Sequence, residues 1–193
     1  MILIPAHGIS RWSMSTRAEP GCEPRFLADR MLGRLARWLR IMGFDAAYAS
    51  DVHDSEIAAR AEKESRVLLT RDRELSMRRN ISAIYVESDI LEEQLADVLA
   101  HFGLKAHAEP VRCTECNGIL TAVSAAEASA VLCYEIVSRF QLFYRCSACH
   151  KIYWRGSHWL RINDTVDRVN SLLASREHHP KSGRNGKVDE PGN

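Results

Sequence analysis

Apolar residues recur along this chain in two alternating rhythms. Short, nearly unbroken apolar runs at Phe26-Leu27-Ala28, residues 46–49, Val67-Leu68-Leu69-Thr70 and Ile84-Tyr85-Val86 predict four strands. Between them apolar positions return at helical spacing. Met31, Leu32, Leu35, Ala36, Trp38, Leu39 and Met42 mark one helix, with Gly43 as its natural stop. Ile57, Ala58 and Ala61 mark a second, opened by Asp54 or Ser55, and a short helix is expected around residues 74–79. Residues 90–102 form the last, with Leu91, Leu95, Val98, Leu99 and Phe102 inward and Gly103 closing it. Strands alternating with helices predict an α/β fold built on a parallel sheet.

Residues 1–24 show neither rhythm and carry Pro5, Pro20 and Pro24, so they are expected to form a disordered arm. The sheet module then occupies residues 25–110, a smaller module residues 111–162, and a helical extension with a disordered tail residues 163–193, the tail beginning near Arg176. The chain shows no internal repeat.

Composition narrows the class of function. The 193 residues are 46% hydrophobic and 26% charged, which excludes a wholly disordered, collagen-like or coiled-coil chain. The formal charge of +1 excludes a uniformly basic coat, but not a local patch. Of the basic residues 21 are arginine and 5 lysine; arginine's rigid fork suits phosphate, although a GC-rich genome accounts for the bias equally well. The net charge of residues 25–110 is −2 and that of residues 111–162 is +3, so the two modules carry opposite excesses. No apolar run approaches the roughly 18 residues of a membrane span. Met1-Ile2-Leu3-Ile4-Pro5 is too short for a signal-peptide core, and a cytoplasmic protein with no membrane association is the expectation.

In a parallel sheet, ligands bind beyond the carboxyl ends of the strands, and a carboxylate recurs there. The first strand runs into Asp29 and the third into Thr70-Arg71-Asp72. The fourth runs into Glu87-Ser88-Asp89, and the second leads through Asp51 to Asp54 and Glu56. Several gathered carboxylates are costly unless hard cations neutralise them, so one or two Mg²⁺ or Mn²⁺ ions are a natural complement. Each acid also has a simpler explanation as a helix cap: Asp29 before Arg30, Asp54 before its helix, Asp72 before Glu74, and Asp89 with Glu92 as a capping box. Arg30, Arg34 and Arg37, continued by Arg40, form a basic stripe beginning beside Asp29. Such a stripe can hold a nucleic-acid backbone or can be a solvated helix face.

Cys113-Thr114-Glu115-Cys116 and Cys146-Ser147-Ala148-Cys149 supply four thiolates at the spacing of tetrahedral Zn²⁺, with disulfides or redox chemistry as the alternatives. A closed four-cysteine site is structural; it replaces the core that some 50 residues cannot build. Cys22 is read as a free thiol in the arm, Cys133 as a small buried hydrophobe, and His150 and His158 as reserve ligands. In Ile152-Tyr153-Trp154-Arg155-Gly156-Ser157-His158-Trp159, Tyr153 and Trp154 suit packing. Arg155, Ser157 and His158 remain candidates for contact with nucleic acid.

The run Phe26-Leu27-Ala28-Asp29-Arg30-Met31-Leu32-Gly33-Arg34-Leu35-Ala36-Arg37-Trp38-Leu39-Arg40 is followed in order by several more motifs. They are Leu68-Leu69-Thr70-Arg71-Asp72-Arg73, Ser88-Asp89, Arg112-Cys113, Cys116-Asn117-Gly118 and Tyr153-Trp154-Arg155-Gly156-Ser157-His158-Trp159. Together they resemble the Mut-seven C-terminal RNase domain family, a PIN-like nuclease domain followed by a small zinc ribbon, over roughly residues 25–162. The chain departs from that family's pattern at Asp89-Ile90, where two successive acids are frequent, and at His150, where glycine is common. The resemblance implies a metal-dependent ribonuclease. Asp29, Asp54, Asp72 and Asp89 would be its catalytic acids, and Cys113, Cys116, Cys146 and Cys149 would hold structural zinc. RNA is then the expected partner, held by Arg30, Arg34, Arg37, Arg71, Arg155 and His158, with a further protein partner or the ribosome open. The alternatives are a non-catalytic RNA- or ribosome-binding adaptor on a degenerate nuclease fold, and a protein-interaction module that never meets nucleic acid.

Overall fold

The structure is a computed structural model; it describes residues 23–50 and 52–178. Residues 1–22 of the expected arm, Cys22 among them, Asp51 and the final residues of the expected tail lie outside them.

The first module is a four-stranded parallel sheet. Its strands are β1 (Phe26–Ala28), β2 (Ala46–Tyr48), β3 (Val67–Thr70) and β4 (Ala83–Tyr85), in the order β2-β1-β3-β4. The helices are α1 (Gly33–Ile41, after a single 3₁₀ turn at Arg30–Leu32), α2 (Asp54–Lys63), α3 (Arg73–Ser76) and α4 (Leu91–His101). Strand side chains alternate between two cores. Phe26, Ala28, Val67 and Leu69 pack with Leu35, Leu39, Leu95 and Leu99 of α1 and α4. Leu27, Ala47 and Leu68 pack on the opposite face with Ile57, Ala58, Ala61 and Leu75 of α2 and α3. Both faces are covered, which is why the strands read as apolar runs rather than as an alternation. Gly43 and Gly103 take positive φ (87° and 63°) where α1 and α4 stop.

The second module is a three-stranded antiparallel sheet of β5 (Leu120–Val123), β6 (Phe143–Cys146) and β7 (Ile152–Trp154). Two short helices that the hydrophobic rhythm did not predict, α5 (Ala125–Ser129) and α6 (Tyr134–Arg139), lie between β5 and β6. The first opens with a capping box formed by Ser124 and Glu127, a Ser-x-x-Glu signal present in the sequence. Cys133 is exposed just before α6, contrary to its reading as a buried hydrophobe: its turn faces solvent while Ala128 and Phe143 fill the small core.

The last helix, α7 (His158–His178), begins five residues before the expected extension and takes His158 into its first turn. It returns to the first module. Val166, Val169 and Leu173 join the α1/α4 core, Arg168 pairs with Glu92 and Arg176 with Asp97. Asn170 clasps the backbone of Ala106 by both its N–H and C=O groups, at 3.0 and 2.9 Å. None of the described helices is long and apolar enough to cross a membrane.

A polar seam joins the two modules. Arg40, expected to extend the exposed basic stripe, is buried. Its guanidinium donates to the carbonyls of Ala46, Thr114 and Glu115 at 2.7, 3.0 and 2.9 Å. At i+3 from Arg37 it has rotated toward edge strand β2, where the ribbon's first knuckle supplies carbonyls that need a donor. Asn117, in the left-handed region (φ 67°), accepts from the Ala46 N–H and donates to Asp45. Arg66 and Arg112 also face Asp45. Burial pushes the Asp45 carboxyl up, but the hydrogen bonds from Arg66 and Asn117 and the charges of Arg66 and Arg112 outweigh it and hold the group below its usual range.

Candidate functional site

Two sites emerge, one on each module. On the sheet, the carboxyl ends of the two central strands carry Asp29 and Asp72. Asp29 is almost wholly buried. One of its oxygens accepts from the Met31 N–H at 2.9 Å; the other accepts from the Thr70 hydroxyl at 2.5 Å and the Arg71 N–H at 3.2 Å. Thr70 also accepts from the Asp72 backbone N–H at 2.9 Å, so its hydroxyl ties the Asp29 carboxylate to the backbone at Asp72. Asp72 is exposed and caps α3 by accepting from the Leu75 N–H with one carboxylate oxygen. The cap readings of Asp29 and Asp72 hold, and both acids also stand where a ligand of a parallel sheet would bind.

The other two acids behave differently. Asp89 is exposed and paired with Arg71. It does not form the expected capping box with Glu92, because α4 starts at Leu91, one residue later than that box requires. The turn is closed instead by Ser88, which accepts from Ile90 and donates to Glu93. Asp54 is exposed in the first turn of α2. His53 occupies the cap position, so Asp54 does not cap with its side chain, although its charge suits the helix N-terminus. Asp54 follows β2 and Asp89 follows β4, the two edge strands, about 14 Å apart at ordinary strand spacing. Among the described residues, no three of these acids gather closely enough to share one ion as the cysteines do.

The basic candidates surround this edge unevenly. Arg30, Arg34 and Arg37 are exposed along α1 and the turn before it, Arg37 lying 3.8 Å from Glu115. Gly33 gives room to the Tyr48 ring, whose hydroxyl donates to the Arg30 carbonyl; a Cβ there would meet the ring at 3.0 Å. Arg155 and His158 sit on the other module, at the turn from β7 into α7, with the Arg155 guanidinium 4.7 Å above the Trp159 ring. Thr70 and Asn117 are two further contributors to which the sequence pattern assigns no role. The signals for them in the sequence are a threonine two residues before Asp72 and an asparagine directly after the first cysteine knuckle.

The second site is the cysteine cluster. The Sγ atoms of Cys113, Cys116, Cys146 and Cys149 all lie within 4.8 Å of one another, with Cys113–Cys149 at 3.5 Å and Cys116–Cys146 at 3.4 Å. A tetrahedron of thiolates about 2.3 Å from zinc has edges of about 3.8 Å. Backbone N–H groups point at the sulfurs: Cys116 at Cys113, and Ala148 and Cys149 at Cys146. The Tyr153 hydroxyl lies 3.0 Å from Cys113 Sγ. A Cβ on Gly118 would meet Cys146 Sγ at 2.8 Å and Cys116 Sγ at 3.3 Å, so only glycine leaves the cradle open. Four thiolates cannot share this space without a cation. Burial pushes the Cys113 thiol up, yet hydrogen bonds from Tyr153 and from backbone N–H groups outweigh it and hold it near about 6. Burial and the neighbouring thiols push Cys116 up to about 12. The donor set, the spacing and the glycine cradle fit structural zinc, and no histidine is needed. His150 completes its knuckle by backbone shape, in the left-handed region at φ 61°. Tyr153 and Trp154 pack inside the ribbon, as expected.

The model of the Mut7-C RNAse domain family matches residues 24–166, which takes in the sheet module, the ribbon and the first turns of α7. No curated protein and no solved structure matches the chain.

Proposed function

The chain belongs to the Mut7-C RNAse domain family, a membership that suggests a nuclease-type activity, and from that premise we propose that it is a metal-dependent ribonuclease. The observation that carries this reading is the placement of Asp29 and Asp72 at the carboxyl ends of neighbouring strands, with the Thr70 hydroxyl linking the Asp29 carboxylate to the Asp72 backbone N–H. Their oxygens are the hard donors that Mg²⁺ or Mn²⁺ prefers, and the capping bond of Asp72 uses only one of its two oxygens. Such an ion would supply an activated water and offset charge on the phosphodiester. Asp29 is held by three hydrogen bonds, so it would be a fixed ligand for such an ion. Asp72 brings the solvent-facing oxygen. Asp54 and Asp89 form the acidic rim, with Arg71 beside Asp89 as the cation that meets the scissile phosphate. Arg30, Arg34 and Arg37 would hold the backbone on one side, and Arg155 and His158 on the ribbon would extend the contact.

One observation favours a second reading, a non-catalytic RNA-binding adaptor: Asp29 and Asp72 both already serve as caps, and the four acids are not gathered around one point. Cleavage of labelled RNA with Mn²⁺ or Mg²⁺ separates the two. The wild type cleaves and a chelator stops it, while Asp29→Asn and Asp72→Asn each lose more than about 100-fold, beyond the usual cost of removing an outer-shell partner of a metal. Zinc content is measured in every sample, so a lost ribbon is not mistaken for lost chemistry. RNA binding without cleavage by a zinc-loaded wild type would overturn the nuclease reading in favour of the adaptor.

A further inference from the structure

A groove of about 400 Å³ lies between α2 and the segment leading into β4. Ala58, Ala59 and Ile81 contribute apolar surface, and Ser55, Arg78, Arg79 and Asn80 bring polar groups. Glu62 is the one acid among the lining residues, set against two guanidiniums. Arg78 donates to the backbone carbonyl of Asp54 at 3.3 Å, so the groove opens at the first turn of α2, on the side of the sheet where the strands end in acids. Both arginines are exposed, and neither has a carboxylate partner among the described residues. Arg60, also on α2, is by contrast committed to Glu64. Two uncompensated arginines beside a small apolar surface suit a phosphate with its sugar and base, because the fork binds phosphate while the methyl groups accept the flat apolar face.

We propose that this groove holds a nucleotide of single-stranded RNA that flanks the scissile bond, with Arg78 and Arg79 on its phosphates. The proposal rests on the ribonuclease reading for the identity of the strand, and it adds a contact that neither α1 nor the ribbon supplies. A strand crossing the acidic edge over Asp72 and Asp54 continues downward along α2 rather than into solvent. Glu62 repels phosphate at the far end, so the contact is short, one or two nucleotides.

The test is fluorescence anisotropy of a labelled single-stranded RNA on the full zinc-loaded chain, in buffer without Mg²⁺ or Mn²⁺ so that nothing is cleaved. The wild type is compared with R78A/R79A, whose melting temperature serves as the check on folding, and with R78Q/R79Q, which keeps the bulk and removes the charge. Both variants are expected to bind about 10-fold more weakly, and the slope of log affinity against log salt to fall by about 1.4, at about 0.7 per phosphate contact on a single strand. Wild-type binding with unchanged affinity and slope in both variants overturns the groove and leaves the ribonuclease reading standing. Binding lost in the variants, with no cleavage by the wild type when Mn²⁺ is added, supports the groove and overturns the nuclease. Titration with a ribonucleoside 5′-monophosphate forms the last arm. A loss in the variants confined to this small ligand places a free nucleotide there and overturns the strand.

Discussion

In β1 the side chains of Phe26, Leu27 and Ala28 are all fully buried, whereas in the ribbon strand β6 only Phe143 and Cys146 are, with Tyr144 and Arg145 partly exposed. The two modules thus solve the same problem differently. The sheet has helices on both faces and two cores of leucine, alanine and phenylalanine, so water exclusion holds it. The ribbon has two small clusters, one of them made largely of its own cysteines, and needs a bond that water exclusion cannot provide. The difference teaches where each module is vulnerable: the sheet to lost volume, the ribbon to lost metal, and the seam between them to lost charge.

The largest effect is expected from the ribbon. Removing zinc with a strong chelator, or Cys146→Ser, should melt β5, β6 and β7, since metal binding in such modules carries on the order of 10 kcal/mol of folding free energy. Hydrogen exchange by amide NMR is the check: amides of the ribbon lose protection while those of β1 and β3 keep theirs. Equal loss in both modules would break the comparison and make the chain a single cooperative unit.

Next in size is the sheet. Leu39 of α1 is fully buried in the larger core, and Leu39→Ala should cost about 2–5 kcal/mol through lost transfer energy and the cavity left behind. Urea unfolding followed by tryptophan fluorescence measures it, and zinc content should be unchanged below the transition. Zinc loss in native buffer would show that the ribbon leans on the sheet more heavily than the packing implies.

The smallest effect belongs to the seam. Asp45 sits among Arg66, Arg112 and Asn117, and its folded pKa lies below the ordinary value of 3.8. A depressed carboxyl contributes stability that is fully present above its unfolded pKa and is lost as pH falls through the lower, folded one. Wild-type stability should therefore fall below about pH 4 through this group. Asp45→Asn should cost about 1–2 kcal/mol at neutral pH and reduce that acid dependence. Urea midpoints at pH 3 and pH 7 for both proteins test it; parallel losses would remove Asp45 from the account.

Much of this arrangement was legible in the residues. The strands at Phe26–Ala28 and Val67–Thr70 stood out because both faces of each are apolar, and the glycine stops of α1 and α4 because few other residues enter the left-handed region. The four cysteines were legible because metal geometry demands a fixed spacing. Arg40 was not: in sequence it continues an exposed stripe, and only the docking of the knuckle against β2 gives its guanidinium buried carbonyls to serve. Asp89 read as the start of a capping box, and a one-residue shift in where α4 begins gave it to Arg71 instead. Helices α5 and α6 were missed because they are too short for a periodicity to emerge, although Ser124 and Glu127 marked the first.

The sequence by itself determined the elements of the first module, the class of fold and the four cysteines that could hold zinc, since these follow from local spacing: apolar period, cap residues and paired thiols. The tertiary structure alone decided which chain segments adjoin Asp29. Its carboxylate reaches Thr70 because β1 and β3 are neighbours in the sheet, although some forty residues separate them in the chain, and the Thr70 hydroxyl accepts in turn from the Asp72 backbone N–H. It also decided that α7 returns to cover α4, joining the chain's last described helix to its first core. Such pairings depend on strand order and on which surfaces need covering, and neither is written in any local run of residues.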